Sequence, residues 1–292
     1  MTFYGTSAAE GIPSPFCRCR VCENARTVRG KEIRRRSMLR LSDTLCIDMG
    51  ADALQLAIEF GDFYDLRHVL VTHTHEDHFA HMIPYVLALS AQQPPEPLNF
   101  YFTDRAFRYV DFMRDNSPII KGLTQTLEQQ GVVAFHRLEF YQTSKIGGMS
   151  VLPLKGSHRG NVDELSANYL IEMPSGRRLF YGLDTGWYLD ETFESLENAD
   201  ISVFVGECSH GINPDRERHP KIHMDAHSNI LLLEKLLAIG AISPDTRVYI
   251  THISHTSTHE ELTAFFNDVD LPFKTPITVA YDGLTGPDGY GL

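Results

Sequence analysis

The segment His73-Thr-His-Glu-Asp-His78 packs four metal-ligand side chains, those of His73, His75, Asp77 and His78, into six residues. It follows His68-Val-Leu-Val-Thr72, an apolar run that reads as a strand. Where the extended conformation persists, His73 and His75 are two apart and project to the same side. Asp77 and His78 come where the chain turns toward a helix, so they can face a second ion. A borderline cation such as zinc takes about four imidazole or carboxylate ligands and keeps an open position where catalysis happens. A lone histidine on an apolar strand is normally a satisfied structural group, but this density in one loop is not explained that way.

Three further groups share the same local context. His158 follows Val151-Leu-Pro-Leu154, Asp184 follows Leu179-Phe-Tyr-Gly-Leu183, and His252 follows Val248-Tyr-Ile-Thr251. Each alone reads as a cap or a surface side chain. Strand ends converge at one edge of a sheet, and with the first loop these groups supply enough ligands for two metals.

Cys17-Arg-Cys-Arg-Val-Cys22 is a second constellation. Its thiols are too close together for an ordinary disulfide pair but well spaced to wrap one soft ion, and a closed tetrahedral site needs a fourth ligand. Five cysteines in a chain of 292 residues do not suggest a disulfide framework. Cys46 and Cys208 lie in or beside apolar runs and read as buried core thiols.

Short apolar strands alternate with amphipathic segments. Strands are expected at Ser37–Leu41, Thr44–Asp48, His68–Thr72, Asn99–Phe102, Val132–Leu138, Met149–Leu154, Ala167–Glu172, Arg178–Leu183, Ile201–Val205, Arg247–Thr251 and Ile277–Ala280. Helices are expected at Ala51–Glu59, Ala80–Ala91, Asp104–Arg114, Ile120–Gln130, Leu189–Leu196, Ala226–Ile239 and Thr258–Phe266. The mixture predicts a layered α/β protein with mostly antiparallel sheet content. With no repeat or long polar linker, one domain over 1–292 is expected, carrying a helical insertion over about 91–150.

A formal net charge of −12 disfavours a surface built for long polyanions, so no nucleic acid is expected. The one basic cluster, Lys31 with Arg34, Arg35 and Arg36, reads as a solvated turn before a strand. No run is long and apolar enough to span a membrane, and the start lacks the basic and apolar regions of a signal peptide, which points to a cytoplasmic protein without a membrane partner.

The order Thr72-His-Thr-His-Glu-Asp-His78, His158, Asp184 and His252 resembles the metallo-β-lactamase superfamily. The resemblance implies an αββα sandwich, two packed mixed β-sheets flanked by helices, with metals at one sheet edge. It implies that His73, His75 and His158 hold one ion, that Asp77, His78 and His252 hold the other, and that Asp184 bridges both. Gly5-Thr-Ser-Ala-Ala-Glu-Gly-Ile-Pro13 followed by Cys-x-Cys-x-x-Cys, with Ala280-Tyr-Asp-Gly283, resembles the PhnP-type phosphodiesterases that accompany carbon–phosphorus lyase. That similarity implies a structural zinc in a loop over about 13–26, held by Cys17, Cys19 and Cys22, with His255 as fourth ligand. It also points to His223 as the non-ligand histidine near a scissile phosphate, with His227 and His219 as rivals. Glu207 and His210 either line the site or simply end a strand.

On this reading two divalent metals lower the pKa of a shared water and clamp the oxygens of a small phosphodiester. Zinc or manganese suits the nitrogen and oxygen donors, and iron fits them too. Asp184 would bridge, Asp77 would orient the attacking water and His223 would protonate the leaving alkoxide. The resemblance implies a small-molecule substrate such as a ribosyl cyclic phosphate. The competing functions are tRNA 3′ processing, thioester, lactone or lactam hydrolysis, and a PqqB-like binding or carrier role in cofactor biosynthesis. The 91–150 insertion would cover the site mouth, mediate a homodimer or enlarge the fold.

Overall fold

A computed structural model describes residues 1–116, 122–215 and 217–286. The chain begins β1 (Thr2–Gly5), α1 (Arg20–Val28), β2 (Met38–Arg40), β3 (Leu45–Ile47), α2 (Ala53–Phe60), β4 (His68–Leu70), α3 (Ile83–Ala88) and β5 (Leu98–Thr103). It continues α4 (Phe107–Asn116), α5 (Leu123–Gln129), β6 (Val133–Leu138), β7 (Ser144–Ile146), β8 (Met149–Arg159), β9 (Leu165–Glu172) and β10 (Arg178–Gly182). It ends α6 (Asp190–Leu196), β11 (Ile201–Cys208), α7 (Ala226–Ala238), β12 (Ile242–Ile253), α8 (His259–Asn267), β13 (Thr278–Val279) and β14 (Leu284–Thr285).

Strands that are apolar on both faces must be covered on both faces, and here that requirement sets the layering. In β10, Leu179 and Tyr181 point into the core between the sheets, while Phe180 points outward beneath helices. In β3, Leu45 and Ile47 likewise face inward and Cys46 outward. One apolar cluster therefore lies between the sheets. A second, containing Leu56, Val69, Phe100 and Val110, sits under α2 to α5, and a third, containing Phe180, Phe204, Leu233 and Leu262, sits under α6 to α8. The result is an αββα sandwich, as the resemblance implied.

The two sheets have the orders β14-β1-β2-β3-β4-β5-β6 and β13-β12-β11-β10-β9-β8-β7. Each is half parallel, which corrects the expectation of mostly antiparallel pairing. From β3 to β6 and from β10 to β13 neighbouring strands are parallel, because helices carry the chain back between them, whereas the remaining pairs are antiparallel. The 91–150 segment, expected to be helical, contributes α4 and α5 together with β5, β6 and β7. Of the helix expected over Ile120–Gln130, Ile120 and Lys121 lie outside the described residues.

Two more expectations need correcting. The β8 and β12 strands run on past their apolar cores, so His158 and His252 lie inside strands and not after them; a register shift in β8 between Lys155 and Arg159 marks where the strand bends toward the site. The basic cluster is not a solvated turn either. Arg34 is buried and donates to Thr6 Oγ1, the Ala280 carbonyl and His259 Nδ1, while Arg35 pairs with Glu59 and Asp282 and Arg36 with Asp52. These guanidiniums fasten the amino-terminal loop to both ends of the chain.

The metal loop is held by backbone. Met49 N donates to the His78 carbonyl at 2.7 Å, Ala51 N to Glu76 at 3.0 Å, and Ala80 N to Met49 at 3.0 Å. This approach requires glycine at position 50, since a Cβ there would lie 2.1 Å from the Asp77 carbonyl oxygen. We expect Gly50→Ala to shift Asp77 and His78 together, at a cost of about 1–3 kcal/mol. A lower melting temperature with reduced metal content at the catalytic edge, read by thermal melting and elemental analysis, would bear this out; an unchanged metal content would not.

Candidate metal centre

The sheet edge gathers every ligand anticipated from the sequence. His73, His75 and His158 present ligand atoms within 4.8 Å of one another, and so do Asp77, His78, Asp184 and His252. In the first group His75 Nδ1 lies 3.0 Å from His73 Nε2 and 3.3 Å from His158 Nε2. In the second, His78 Nε2 lies 2.8 Å from Asp184 Oδ2, 3.2 Å from Asp77 Oδ2 and 3.3 Å from His252 Nε2. Asp184 joins the groups, because Oδ2 is also 3.2 Å from His73 Nε2.

Ring nitrogens aimed at one another cannot all be satisfied by hydrogen bonds among themselves, whereas a cation between them satisfies all at once. Asp184 Oδ1 is buried with no hydrogen-bond partner among the described residues, as a bridging ligand atom would be. The donor set is nitrogen and oxygen throughout, so the residues present fit two borderline divalent ions.

The charges agree. Burial opposes ionisation of Asp184, but the imidazoles of His252 and His78 overcome it and hold the carboxyl well below its usual range. Burial likewise opposes charge on His78, and the carboxylates of Asp77, Asp48 and Asp184 reverse that, raising its pKa. Burial pushes His158 down to about 4, leaving it a neutral ligand at physiological pH.

His75 and His158 of one group and Asp77, Asp184 and His252 of the other line a cavity of about 350 Å³, together with Ala8, Glu10, Ser209, His210, His223 and Ser254. No Lys or Arg lines it among the described residues. Of the three rival histidines only His223 reaches this cavity. His227 lines a different one beside Phe265, and His219 stacks on Trp187 with ring centroids 3.9 Å apart. His223 Nδ1 lies 3.0 Å from Glu207 Oε1 and 3.3 Å from Asp184 Oδ1.

A family model described as a beta-lactamase superfamily domain matches residues 45–264. The chain belongs to the metallo-β-lactamase superfamily. Among solved structures it is similar to a diphosphatase of the PhnP family, at 21% identity and a TM-score of 0.69, covering 97% of this chain and 95% of that one. It is also similar to Zn(2+)-bound PqqB from Methylobacterium extorquens (17% identity, TM-score 0.71, covering 97% and 98%) and to the short form of human tRNase Z (15% identity, TM-score 0.59, covering 97% and 96%). At these identities the likeness is one of fold. No curated protein sequence gives a significant match.

This metallo-β-lactamase centre rests on a polar shell that the sequence reading missed in part. Asp48, fully buried, accepts from His78 Nδ1 at 2.7 Å, Thr72 N at 2.8 Å and Thr72 Oγ1 at 2.9 Å, and Thr72 Oγ1 in turn lies 3.1 Å from His73 Nδ1. One carboxylate thus orients a ligand of each group and leaves Nε2 of both aimed inward. On the other side His252 Nδ1 lies 2.9 Å from Ser209 Oγ, which donates to Glu207 Oε2 at 2.6 Å. Glu164, also buried, accepts from Thr74 N and Thr74 Oγ1 and so braces the metal loop from the turn just before β9. Asp48 was detectable as the acidic end of an apolar run, the same signal that marked Asp184. Glu164 and Ser209 carried no such mark.

Cys17, Cys19, Cys22 and His255 form a third group within 4.8 Å, able to hold one ion. Cys19 caps the start of α1; burial works against its ionisation, but backbone N–H groups of Cys22 and Val21 outweigh this and lower its pKa. Cys22 Sγ is 3.4 Å from His255 Nδ1. Cys46 and Cys208 are buried core thiols as expected. We expect about three divalent ions per chain by elemental analysis, with Cys19→Ser losing one and melting lower. Retention of both stoichiometry and melting temperature in Cys19→Ser would remove the ion from this group.

Proposed function

We propose that the protein is a dinuclear-metal phosphodiesterase acting on a small, cyclic diester. One observation carries the reading: Asp184 Oδ2 stands against His73 of one donor group and His78 of the other, with His223, backed by buried Glu207, facing the same cavity. The donor chemistry supports zinc or manganese at the two groups, with iron also fitting, and a structural zinc among the cysteines. The likeness to a PhnP-family diphosphatase supports a phosphorus centre as the target. A cavity of about 350 Å³ with no Lys or Arg among its described lining residues suits a small molecule better than tRNA, although human tRNase Z shares the fold.

Two divalent cations bound here supply Lewis-acid charge to the phosphoryl group and bring the pKa of water toward neutrality. The remaining steps belong to the chain. Asp77 accepts a hydrogen bond from the attacking water. As the phosphorus–oxygen ester bond breaks, the leaving alkoxide takes a proton from His223. Glu207 accepts from His223 Nδ1, so the transferable proton sits on Nε2, and its carboxylate stabilises the imidazolium before transfer. Glu207 itself stays ionised: burial opposes this, but His223 and then His252 lower its pKa.

The rival reading, a carrier like the one considered for PqqB, draws on the shared cysteine group and on the TM-score of 0.71. A complete seven-ligand edge with an acid–carboxylate pair at its cavity is more than a carrier requires.

We expect His75→Ala and Asp184→Ala to lower turnover of bis(p-nitrophenyl) phosphate by roughly a hundredfold or more while the fold persists. Wild-type turnover by folded His75→Ala would sink the metal reading. His223→Ala should lose about a hundredfold on an alkyl diester, whose leaving group needs a proton, and should lose the fall in rate at high pH. It should lose far less on the nitrophenyl diester, which leaves as a stable anion. Equal effects on both substrates, with the basic limb intact, would exclude His223 as the acid.

A further inference from the structure

Most charged groups lining the catalytic cavity are metal-ligand side chains. Glu10 is different. Glu10 lines the same cavity as Asp77, Asp184 and His223, and it belongs to neither donor group. Glu10 Oε1 lies 3.7 Å from His255 Nε2, on the far side of the ring from the nitrogen that faces Cys22. The side chain is about one-third exposed, at 29%.

The loop that carries it is fixed at both ends. Ala8 N donates to the Ile253 carbonyl at 3.1 Å and Gly11 N to Ala8 at 3.2 Å, while Ile12 and Arg34 exchange two backbone hydrogen bonds of 2.9 and 2.8 Å. Arg36 Nε holds the Ala9 carbonyl at 2.8 Å. The loop backbone that carries Glu10 is therefore fixed beside the cavity, and the carboxylate stands next to His255 of the cysteine group.

We propose that Glu10 selects among diesters: it admits one whose non-scissile part offers hydroxyl donors and turns away one that carries a second phosphate. The inference rests on the phosphodiesterase reading and adds its substrate class. The single charge of a diester is met at the two metal groups. An ionised carboxylate only accepts hydrogen bonds, so sugar or polyol hydroxyls satisfy Glu10. A second phosphate reaching Glu10 meets a like charge; no Lys or Arg is among the described lining residues, and the His223 imidazolium is already set against Glu207 and Asp184. The substrate class is thus a singly charged, hydroxyl-bearing cyclic phosphodiester.

The test uses the metal-loaded full chain with three probes: bis(p-nitrophenyl) phosphate, a nucleoside 2′,3′-cyclic phosphate with a free 5′-hydroxyl, and the same compound bearing a 5′-phosphate. For wild type we expect kcat/KM to favour the 5′-hydroxyl compound by about tenfold or more. Glu10→Gln should bring that ratio close to one, and Glu10→Lys should invert it. Glu10→Ala provides the same ratio should Gln disturb the neighbouring cysteine group, which elemental analysis reports. If wild type hydrolyses the nitrophenyl diester but shows no preference, or if the variants keep the wild-type ratio, the role of Glu10 is overturned and the phosphodiesterase reading stands. If wild type hydrolyses none of the three, the reading falls and the role of Glu10 falls with it.

Discussion

The structure depends on how it buries carboxylates. Asp48, Asp77, Asp184 and Glu207 are all nearly inaccessible at one sheet edge, and a charge removed from water without a partner costs several kcal/mol. Hydrogen bonds account for Asp48 and Glu207, which are saturated by Thr72, His78, Thr185, Ser209 and His223. They do not account for Asp184. Its Oδ1 makes no hydrogen bond among the described residues, lying 3.3 Å from His223 Nδ1 and 3.4 Å from His252 Nε2, and its neighbours are imidazoles whose lone pairs face one another. A cation held between them would satisfy both, so the capacity of this edge for metal follows from solvation energetics as much as from ligand identity.

Bringing those groups to one place strains the backbone. Asp48, Asp184 and His252 adopt positive φ of 62°, 45° and 52°, a region that side-chain-bearing residues avoid. All three stand where a strand reaches the metal edge. An ordinary extended residue would keep alternating between the two faces of its sheet; the left-handed turn rotates the side chain out of the sheet plane toward its neighbours. Such geometry persists only where surrounding contacts over-determine it. Here they do: Ser166 Oγ donates to the Asp184 carbonyl at 2.7 Å, and Ser209 Oγ lies 3.1 Å from the His252 carbonyl.

Ligands were legible in the sequence because metal chemistry restricts residue type and because strand ends announce themselves as polar residues after apolar runs. That signal found His73 to His78, His158, Asp184 and His252, and the same signal could have found Asp48. Strand length was less legible. The polar continuation of β8 through Gly156, Ser157 and His158 has no apolar alternation, since these residues face the site and not a core. The α1 helix went unseen because Cys22 inside it, with Cys17 and Cys19 just before it, reads as a metal loop, and β1, β7 and β14 are too short to carry a period. Glu164 and Ser209 act through contacts between residues 90 and 43 positions apart, respectively, and no local pattern encodes such pairs.

The cysteine group gains its meaning from this long-range wiring. His252 and His255 lie three residues apart at the end of β12, one in each metal group, and the segment between them is itself clamped: Ile253 N donates to the Thr6 carbonyl at 3.0 Å and Ala8 N returns to Ile253 at 3.1 Å. A strained His252 needs that clamp. The amino-terminal loop provides it, with Ala8 and Ile12 buried and Phe16 fully exposed. The donor group of Cys17, Cys19, Cys22 and His255 joins the same loop to the end of β12. An ion held there would brace the strand end from which His252 points.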